Sequence, residues 1–412
     1  MSEATVRRYT AVSLFSGAGG FCEGARLAGF QVEAAVEIDR FAAVTYRGNF
    51  PETPLYEGDV ASFLKPGRPE WEAERHRFEG VEAGGIDLVF GGPPCQGYSQ
   101  IGTRDLDDPR NSLYGEFVRV LRSLQPRVFI MENVPNMLML SRGIFRDRVL
   151  AAFRRAGYKN VAVRVIAATD FGVPQLRKRV IFFGLRDDVA LPCTPGEWAD
   201  KVLLNEKRPA TTVGQAIGDL PQAVSHGACL PYPEAGPHNW IRDELRLDID
   251  GTYYTSEYKL GRAGGLKLHN HHTKEIQQRR KDLIALLEPG MKGDSLPEGV
   301  WNGLRPEKWR RLHPDRPAYT ILAQMHRDLS EWVHPDYERW ITVREAARLQ
   351  SFHDGFIFLS SEWQQLKQIG NAVPPLLGRV AALIAMTALQ QLDGANTAVE
   401  PPLAELALPL GA

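Results

Sequence analysis

The stretch AVSLFSGAGGFCEGARLAG (11–29) limits the possible folds more than any other segment of this chain. Its apolar opening, AVSLF, has the length of a strand and stops at a glycine-rich turn, and EGARLAG continues as a helix. A strand followed directly by a helix is half of a βαβ unit, and such units build parallel sheets. The rhythm returns at VEAAVEI (32–38), at a short strand before Gly58-Asp59, at IDLVF (86–90) and at RVFIME (127–132). VAVRVIAAT (161–169) and RVIFFGL (179–185) read as an adjacent pair. Asn111 to Gln125 reads as a helix with Leu113, Phe117, Val120, Leu121 and Leu124 on one face, ended by Pro126. The prediction is an α/β sheet with a smaller, irregular second domain.

That second part begins at about residue 190, where prolines, glycines and isolated aromatics replace the βα rhythm until about residue 340. At 412 residues and 43% hydrophobic, the chain can bury one large core and a smaller one. A net charge of -1 excludes a uniformly basic coat but leaves room for a local basic cleft. Lys259 to Arg311 holds 12 Lys/Arg against 6 Asp/Glu, a solvated surface or a nucleic-acid face. Order resumes at TVREAARLQSF (342–352), where Thr342 and Glu345 have capping-box spacing. A loose Ala- and Pro-rich tail is expected from about Asp393.

The four cysteines, at 22, 95, 193 and 229, form no CxxC pair, which predicts a reducing setting without disulfides or zinc. His269, His271 and His272 cluster without a ligand-spaced acid, so they read as a polar recognition surface and no metal is expected. The N-terminal MSEATVRRYT lacks the apolar core of a signal peptide. The longest apolar run, Val380 to Leu389, is too short to span a bilayer. A soluble protein without a membrane partner is the expectation.

Chemistry concentrates where strands end. The turn SLFSGAGGF (13–21) lets a ligand approach the backbone and offers helix N–H groups, though any nucleotide-type cofactor would fit. Glu37 ends the next strand, about 20 residues on, where an acid can hold ribose hydroxyls. Asp59 could accept a hydrogen bond from an adenine amino group, and either acid could instead be a loop carboxylate or helix cap. GGPPCQGYS (91–99) presents Cys95 just past a strand, stiffened by two prolines, which suits a nucleophile. Cys22, Cys193 and Cys229 read as small buried hydrophobes. Glu132 in MENVP ends another strand, where a raised pKa and a proton-sharing role are expected. In QLRKR (175–179), alternation puts Arg177 and Arg179 on one side, where they would favour a thiolate at Cys95 and bind a base or phosphate.

SLFSGAGGF, GGPPCQGYS, MENVP, QLRKRVIFFG, RLHPDRPAYTIL and QIGNAVPP together resemble the cytosine-C5 DNA methyltransferase family in order and spacing, from about residue 11 to 378. The resemblance implies a Rossmann-like S-adenosylmethionine methyltransferase sheet (1–190), a target-recognition domain (191–340), a returning C-terminal segment (341–392) and a tail (393–412). It implies catalysis by Cys95 attacking C6 of a flipped-out cytosine, by Glu132 holding N3 and the exocyclic amine, and by Arg177, with Arg179 in support, orienting the base. S-adenosyl-L-methionine would lie on Phe15, Gly17, Ala18, Gly20, Glu37, Asp59, Val60, Pro93, Asn371 and Val373. Gln96 to Pro109 would be the closing loop. The implied partner is double-stranded DNA, and the implied enzyme is a monomer in a prokaryotic cytoplasm, near the nucleoid. Three other readings remain: a tRNA cytosine-C5 methyltransferase of the same fold, a dinucleotide-dependent oxidoreductase, and a catalytically idle DNA-binding module. The oxidoreductase leaves PPCQ, ENV and Arg-x-Arg without a task.

Overall fold

The computed structural model describes residues 7–94, 113–223, 230–231, 239–246, 267–273, 276–297, 299–300, 308–323 and 332–394. Its centre is a seven-stranded sheet built from β1 (Tyr9–Leu14), β2 (Phe30–Glu37), β3 (Leu55–Glu57), β4 (Leu88–Gly91), β5 (Val128–Asn133), β6 (Asn160–Ala167) and β8 (Lys178–Leu185). The two-residue β7 (Gln175–Leu176) lies outside that sheet. The strand order is β3-β2-β1-β4-β5-β8-β6. The first five strands run parallel, whereas β8 runs antiparallel to both β5 and β6. The expected parallel sheet therefore carries one reversed strand, inserted beside its edge.

Alternating side chains feed two apolar layers, as a sheet covered on both faces requires. Ala11, Leu88, Phe90, Val128 and Ile130 pack with Phe21, Cys22 and Ala25 of α1 (Gly20–Leu27) and with the last helix, Pro375–Leu392. Val12, Leu14, Val89, Phe129 and Met131 pack on the other side with Phe117 and Leu121 of the helix Leu113–Leu124 and with Val149 and Phe153 of Ile144–Arg155. The first layer runs on into the irregular region through Ala199, Val202, Val213, Ile217 and Ile321. A satellite core of Ile276, Ile284, Leu287, Trp309 and Val333 lies farther out.

Residues from Thr342 onward return to the sheet. A Cβ on Gly20 would sit 2.4 Å from the Val373 carbonyl oxygen, so the contact between α1 and the returning segment needs glycine there. Together, Glu362–Leu392 contain an 18-residue window of mean hydropathy 1.7, longer than the run Val380 to Leu389 suggests. Of that window 72% is buried inside the protein, which makes this a core helix. Asp393, where the tail was expected to start, is anchored: it accepts from Tyr9 Oη at 2.9 Å and pairs with Arg127 at 2.6 Å. Cys22 is buried, Cys193 is only half-buried, and Cys229 lies outside the described residues.

Candidate active site

The carboxyl ends of β1, β2 and β3 converge, as the parallel register dictates. After Leu14 the backbone turns through left-handed conformations at Phe15 (φ 56°) and Gly17 (φ 57°). Ser16 fixes the turn: its N–H donates to the Val36 carbonyl at 2.9 Å, and its Oγ accepts from Val36 N at 3.2 Å. Glu37 bridges this turn to its own. Its Oε2 accepts from Gly17 N at 2.6 Å, and its Oε1 from Ile38 N at 3.0 Å and Asp39 N at 2.7 Å. Burial raises the Glu37 carboxyl above the ordinary value against the pull of these three N–H groups. Two lone pairs per carboxylate oxygen leave acceptor capacity on Oε2 for a hydroxyl.

A Cβ on Gly17 would meet nothing within 4 Å, so space is open beside this turn. Ala18 and Val60 are buried nearby in sequence, and Gly20 is filled from behind by Val373. Asp59 is exposed and caps its own turn through Ala61 N at 2.9 Å, while Gly58 N donates to the Glu37 carbonyl at 2.9 Å. Asn371 is exposed and Val373 buried. Three contributors escaped the sequence reading. Ile38, 68% exposed next to Glu37, offers an apolar surface. Arg119 holds the Asp59–Phe63 turn through the carbonyls of Val60 (2.6 Å) and Phe63 (2.9 Å). Lys367 reaches Asp39 at 2.6 Å and ties the returning segment to the cleft. An exposed Ile directly after a strand-end acid was a readable signal, but the two long-range pairs left none.

β4 and β5 build the second half of the site. Glu132, 8% exposed at the end of β5, receives Arg179 Nε on its Oε1 at 2.7 Å. A Cβ on Gly92 would lie 2.7 Å from Glu132 Oε2, so position 92 must stay bare for the carboxylate to stand there. Asn133 Nδ2 donates to the Pro93 carbonyl at 3.0 Å and bolts the chain just before Cys95 to β5. Cys95 itself and the stretch 96–109 lie outside the described residues.

The two arginines divide. Arg179 pairs with Glu132, whereas Arg177 donates to the carbonyls of Ile321 (3.1 Å), Gly370 (3.2 Å) and Ala372 (3.0 Å). Burial and the charge of Arg179 push the Arg177 guanidinium well below its ordinary pKa. Of the two arginines, for which Arg177 was expected to lead and Arg179 to support, it is Arg179 that faces Glu132. Arg177 falls in the break between β7 and β8, where simple strand alternation no longer governs direction. Gln175 extends the same seam, donating to Gln350 Oε1 at 2.7 Å and accepting from Ile321 N at 2.9 Å.

His271 is engaged structurally, with Nδ1 3.0 Å from Thr342 Oγ1 and Nε2 2.7 Å from the Pro221 carbonyl. Among the described residues no group of three His, Cys, Asp or Glu is arranged to hold a metal.

The family model for C-5 cytosine-specific DNA methylases matches residues 9–384. The Type II methyltransferase M.XorII of Xanthomonas oryzae pv. oryzae is 35% identical, over 92% of this chain and 85% of its own length. M.AgeI of Thalassovita gelatinovora, another Type II methyltransferase, is 33% identical over 90% of this chain and 97% of its own. A prophage-encoded Escherichia coli structure, assigned as a DNA modification methyltransferase, superimposes with a TM-score of 0.71 at 26% identity, covering 94% of this chain and 99% of its own. The fold of Schizosaccharomyces pombe Dnmt2 is similar, with a TM-score of 0.54 at 18% identity over 95% of this chain and 100% of that one. The chain belongs to the C-5 cytosine-specific DNA methylase family.

Proposed function

We propose that this protein methylates carbon 5 of a cytosine within a specific sequence of double-stranded DNA, with Cys95 as nucleophile and Glu132 and Arg179 holding the base. As a DNA (cytosine-5-)-methyltransferase it takes its methyl group from S-adenosylmethionine. That cofactor supplies an electrophilic methyl on a sulfonium. Phe15, Gly17, Ala18, Gly20, Glu37, Asp59, Val60, Pro93, Asn371 and Val373 would hold it, and Ile38 joins them. The open space at Gly17 and the unused acceptor of Glu37 Oε2 fit a nucleoside there.

The observation that carries the catalytic reading is the Glu132–Arg179 pair at the mouth of β5, beside the glycine-proline approach to Cys95. C5 of cytosine is a weak nucleophile. Addition of the Cys95 thiolate to C6 forms an S–C6 bond and drives negative charge into the ring. Glu132, at N3 and the exocyclic amine, holds the base where that charge develops, and Arg179 faces it as a cation. When bound, the cofactor would supply the methyl to C5 and keep the electron pair of its broken S–CH3 bond as a thioether; the C5 proton then leaves to a base, and cleavage of the S–C6 bond restores the ring and the thiolate. A stacked base cannot reach these groups, so the cytosine is flipped out at a cost of roughly a few kcal/mol. Arg177 acts as a clamp on the returning segment, not as a contact to the base.

Residues 191–340 serve target recognition, and 341–392 complete the cofactor site. A Type II restriction-modification setting, a monomer and the cytoplasm complete the proposal. Tritiated-methyl transfer to genomic DNA and to bulk tRNA tests it. Label should appear in DNA within one short motif, and Cys95→Ser should lose it while still binding cofactor. Label in tRNA alone would move the protein to RNA, and normal turnover by Cys95→Ser would remove that residue from the chemistry.

A further inference from the structure

One surface beside this site takes no part in the steps above. β7 runs parallel to the short strand Ala318–Tyr319, which sets Leu176 against Tyr319. Thr320 Oγ1 donates to the Leu176 carbonyl and locks the pair. Leu176 is 51% and Tyr319 39% exposed. Beneath Tyr319 lies the buried Trp332, stacked with ring centres 5.8 Å apart and planes at 28°. The guanidinium carbon of Arg310 is 5.4 Å from the centre of the Tyr319 ring and 5.8 Å from that of Trp332.

Arg310 and its neighbour differ in a way that matters. Arg311 is buried and spends its guanidinium on the carbonyls of Pro335 (2.9 Å) and Leu287 (2.9 Å). Arg310 is half-buried, and among the described residues it pairs with no carboxylate and donates no side-chain hydrogen bond. A guanidinium lodged beside two aromatic rings and without a side-chain acceptor has N–H groups to offer, and their fork matches a phosphate. Leu176 lies three residues before Arg179, which sets an upper limit of about 10 Å between them along the chain. The platform therefore sits within a few nucleotides of whatever Glu132 and Arg179 hold.

We propose that Arg310 and Tyr319 clamp the strand that carries the target cytosine: the N–H edge of Arg310 takes a backbone phosphate, and Tyr319 with Leu176 packs against the adjacent sugar or base. The clamp rests on the reading of the protein as a DNA methyltransferase. It is a binding device without sequence information of its own, so it acts alike on all duplexes.

Fluorescence anisotropy tests it with two labelled duplexes, one carrying the sequence that wild type modifies and one unrelated, over a salt series. Arg310→Gln should weaken both complexes about tenfold and reduce the log–log salt slope by about one, as loss of one phosphate contact requires. Arg310→Lys should restore the slope. Tyr319→Ala should weaken DNA binding about tenfold, in keeping with the loss of one stacked base, while Tyr319→Phe should stay near wild type. S-adenosylmethionine affinity and thermal stability should be unchanged in Arg310→Lys and Tyr319→Phe. An unchanged slope in Arg310→Gln would remove the phosphate contact, and a loss confined to the cognate duplex would make Arg310 a base reader instead. Falling stability with unaltered DNA affinity would reduce the platform to packing. If wild type itself methylates no DNA, the functional reading fails and takes the clamp with it.

Discussion

The sheet and the helix Val343–Leu349 solve the same burial problem by opposite means. Between Tyr9 and Leu185 the side chains that alternate across the sheet are Val, Ile, Leu, Phe, Met and Ala, and the two layers close by apolar contact. In Val343–Leu349 the residues Arg344, Glu345 and Arg348 are completely buried. Each is matched to acceptors or donors. Arg348 meets Asp354 at 2.6 Å and Asp219 at 2.5 Å, and Arg344 donates to the carbonyls of His269 (3.0 Å), His353 (3.0 Å) and Phe356 (2.8 Å). Glu345 takes Arg339 at 2.7 Å and Thr342 N at 2.7 Å. An apolar layer tolerates a missing or altered contact, whereas a buried ion needs every partner in place. The ionic seam also joins distant stretches: Asp219, His269, Asn270, Arg339 and Asp354 all converge on this one helix.

The largest effect should come from breaking that seam with one partner missing. Arg348→Met takes the 2.6 Å cation from the fully buried Asp354, whose next cation, Arg344, stands at 3.8 Å, while Asp219 keeps Arg242 and Arg246; the change should cost about 3–5 kcal/mol. A swap of like size in the sheet, such as Phe129→Leu or Met131→Leu, should cost less, and Met131→Leu under about 1.5 kcal/mol. Chemical denaturation of each variant checks this. Adding Asp354→Asn to Arg348→Met should recover part of the loss, because it removes the charge of a carboxylate that has lost its 2.6 Å cation. Additive losses, or equal costs in sheet and seam, would erase the distinction.

The same contrast explains what could be read in the sequence. β1, β2, β4, β5 and the β6–β8 pair were legible because alternating apolar runs bounded by glycine or polar turns have few other solutions. Strand ends then located Glu37 and Glu132, since a parallel sheet gathers its carboxyl ends at one edge. The capping box of Thr342 and Glu345 was legible too, being local, and the structure contains it. Partner choice across long sequence separation was not. Nothing in QLRKR says that Arg177 turns to Gly370 and Ala372 while Arg179 turns to Glu132. Nothing in TVREAARLQSF distinguishes a solvated charged helix from one whose charges are all buried. Burial of a charge depends on the carbonyls and carboxylates brought by other segments, which no local pattern encodes. Ile38 was readable in principle: an apolar residue past the last strand position, with no core left to enter.

A smaller effect should separate the two regions by pH. Burial pushes His334 down from its ordinary 6.5 to about 4, with Glu345, Arg339, Asp336 and His271 around it. The unfolded chain then binds a proton that the folded chain refuses between about pH 6.5 and pH 4. Stability from this group is complete above pH 6.5 and is lost as pH falls toward 4. Between pH 7.5 and pH 5 the loss should be about 2 kcal/mol. Burial also lowers His271, which adds to the same trend. The carboxyls that Arg and His partners hold down to about 2, Glu23 beside His353 and Glu345 beside Arg339, act only below their ordinary value of 4.5. The window from 6.5 to 4.5 therefore reports the histidines of the seam, opposed by Glu37, whose raised carboxyl takes up a proton in the folded chain above 4.5. Denaturation midpoints of wild type and His334→Asn across that window check it, and the variant should show the flatter profile. Parallel profiles would place the titration elsewhere.

The smallest effect concerns the carboxyl edge of the sheet, where Glu37 is the proposed cofactor contact. A Gln amide has one acceptor oxygen, so Glu37→Gln can keep the bonds from Ile38 and Asp39 N–H, loses the one from Gly17 N–H, and removes the charge that strengthens a bond to a hydroxyl. S-adenosylmethionine affinity should fall about tenfold, the scale of one charge-assisted hydrogen bond made neutral. The pH dependence adds a second readout. Burial raises the Glu37 carboxyl above its ordinary value, and a hydroxyl donor favours the ionised form. Wild-type affinity should therefore weaken as pH falls through the raised pKa, whereas the Gln variant, which cannot titrate, should show a flat profile. Calorimetric titration of both proteins across mildly acidic pH decides the matter. Equal affinity at neutral pH would show that Glu37 serves the turn alone. A tenfold loss with unchanged pH dependence would mean that the carboxylate acts through Gly17 and Asp39, not through contact with the ligand.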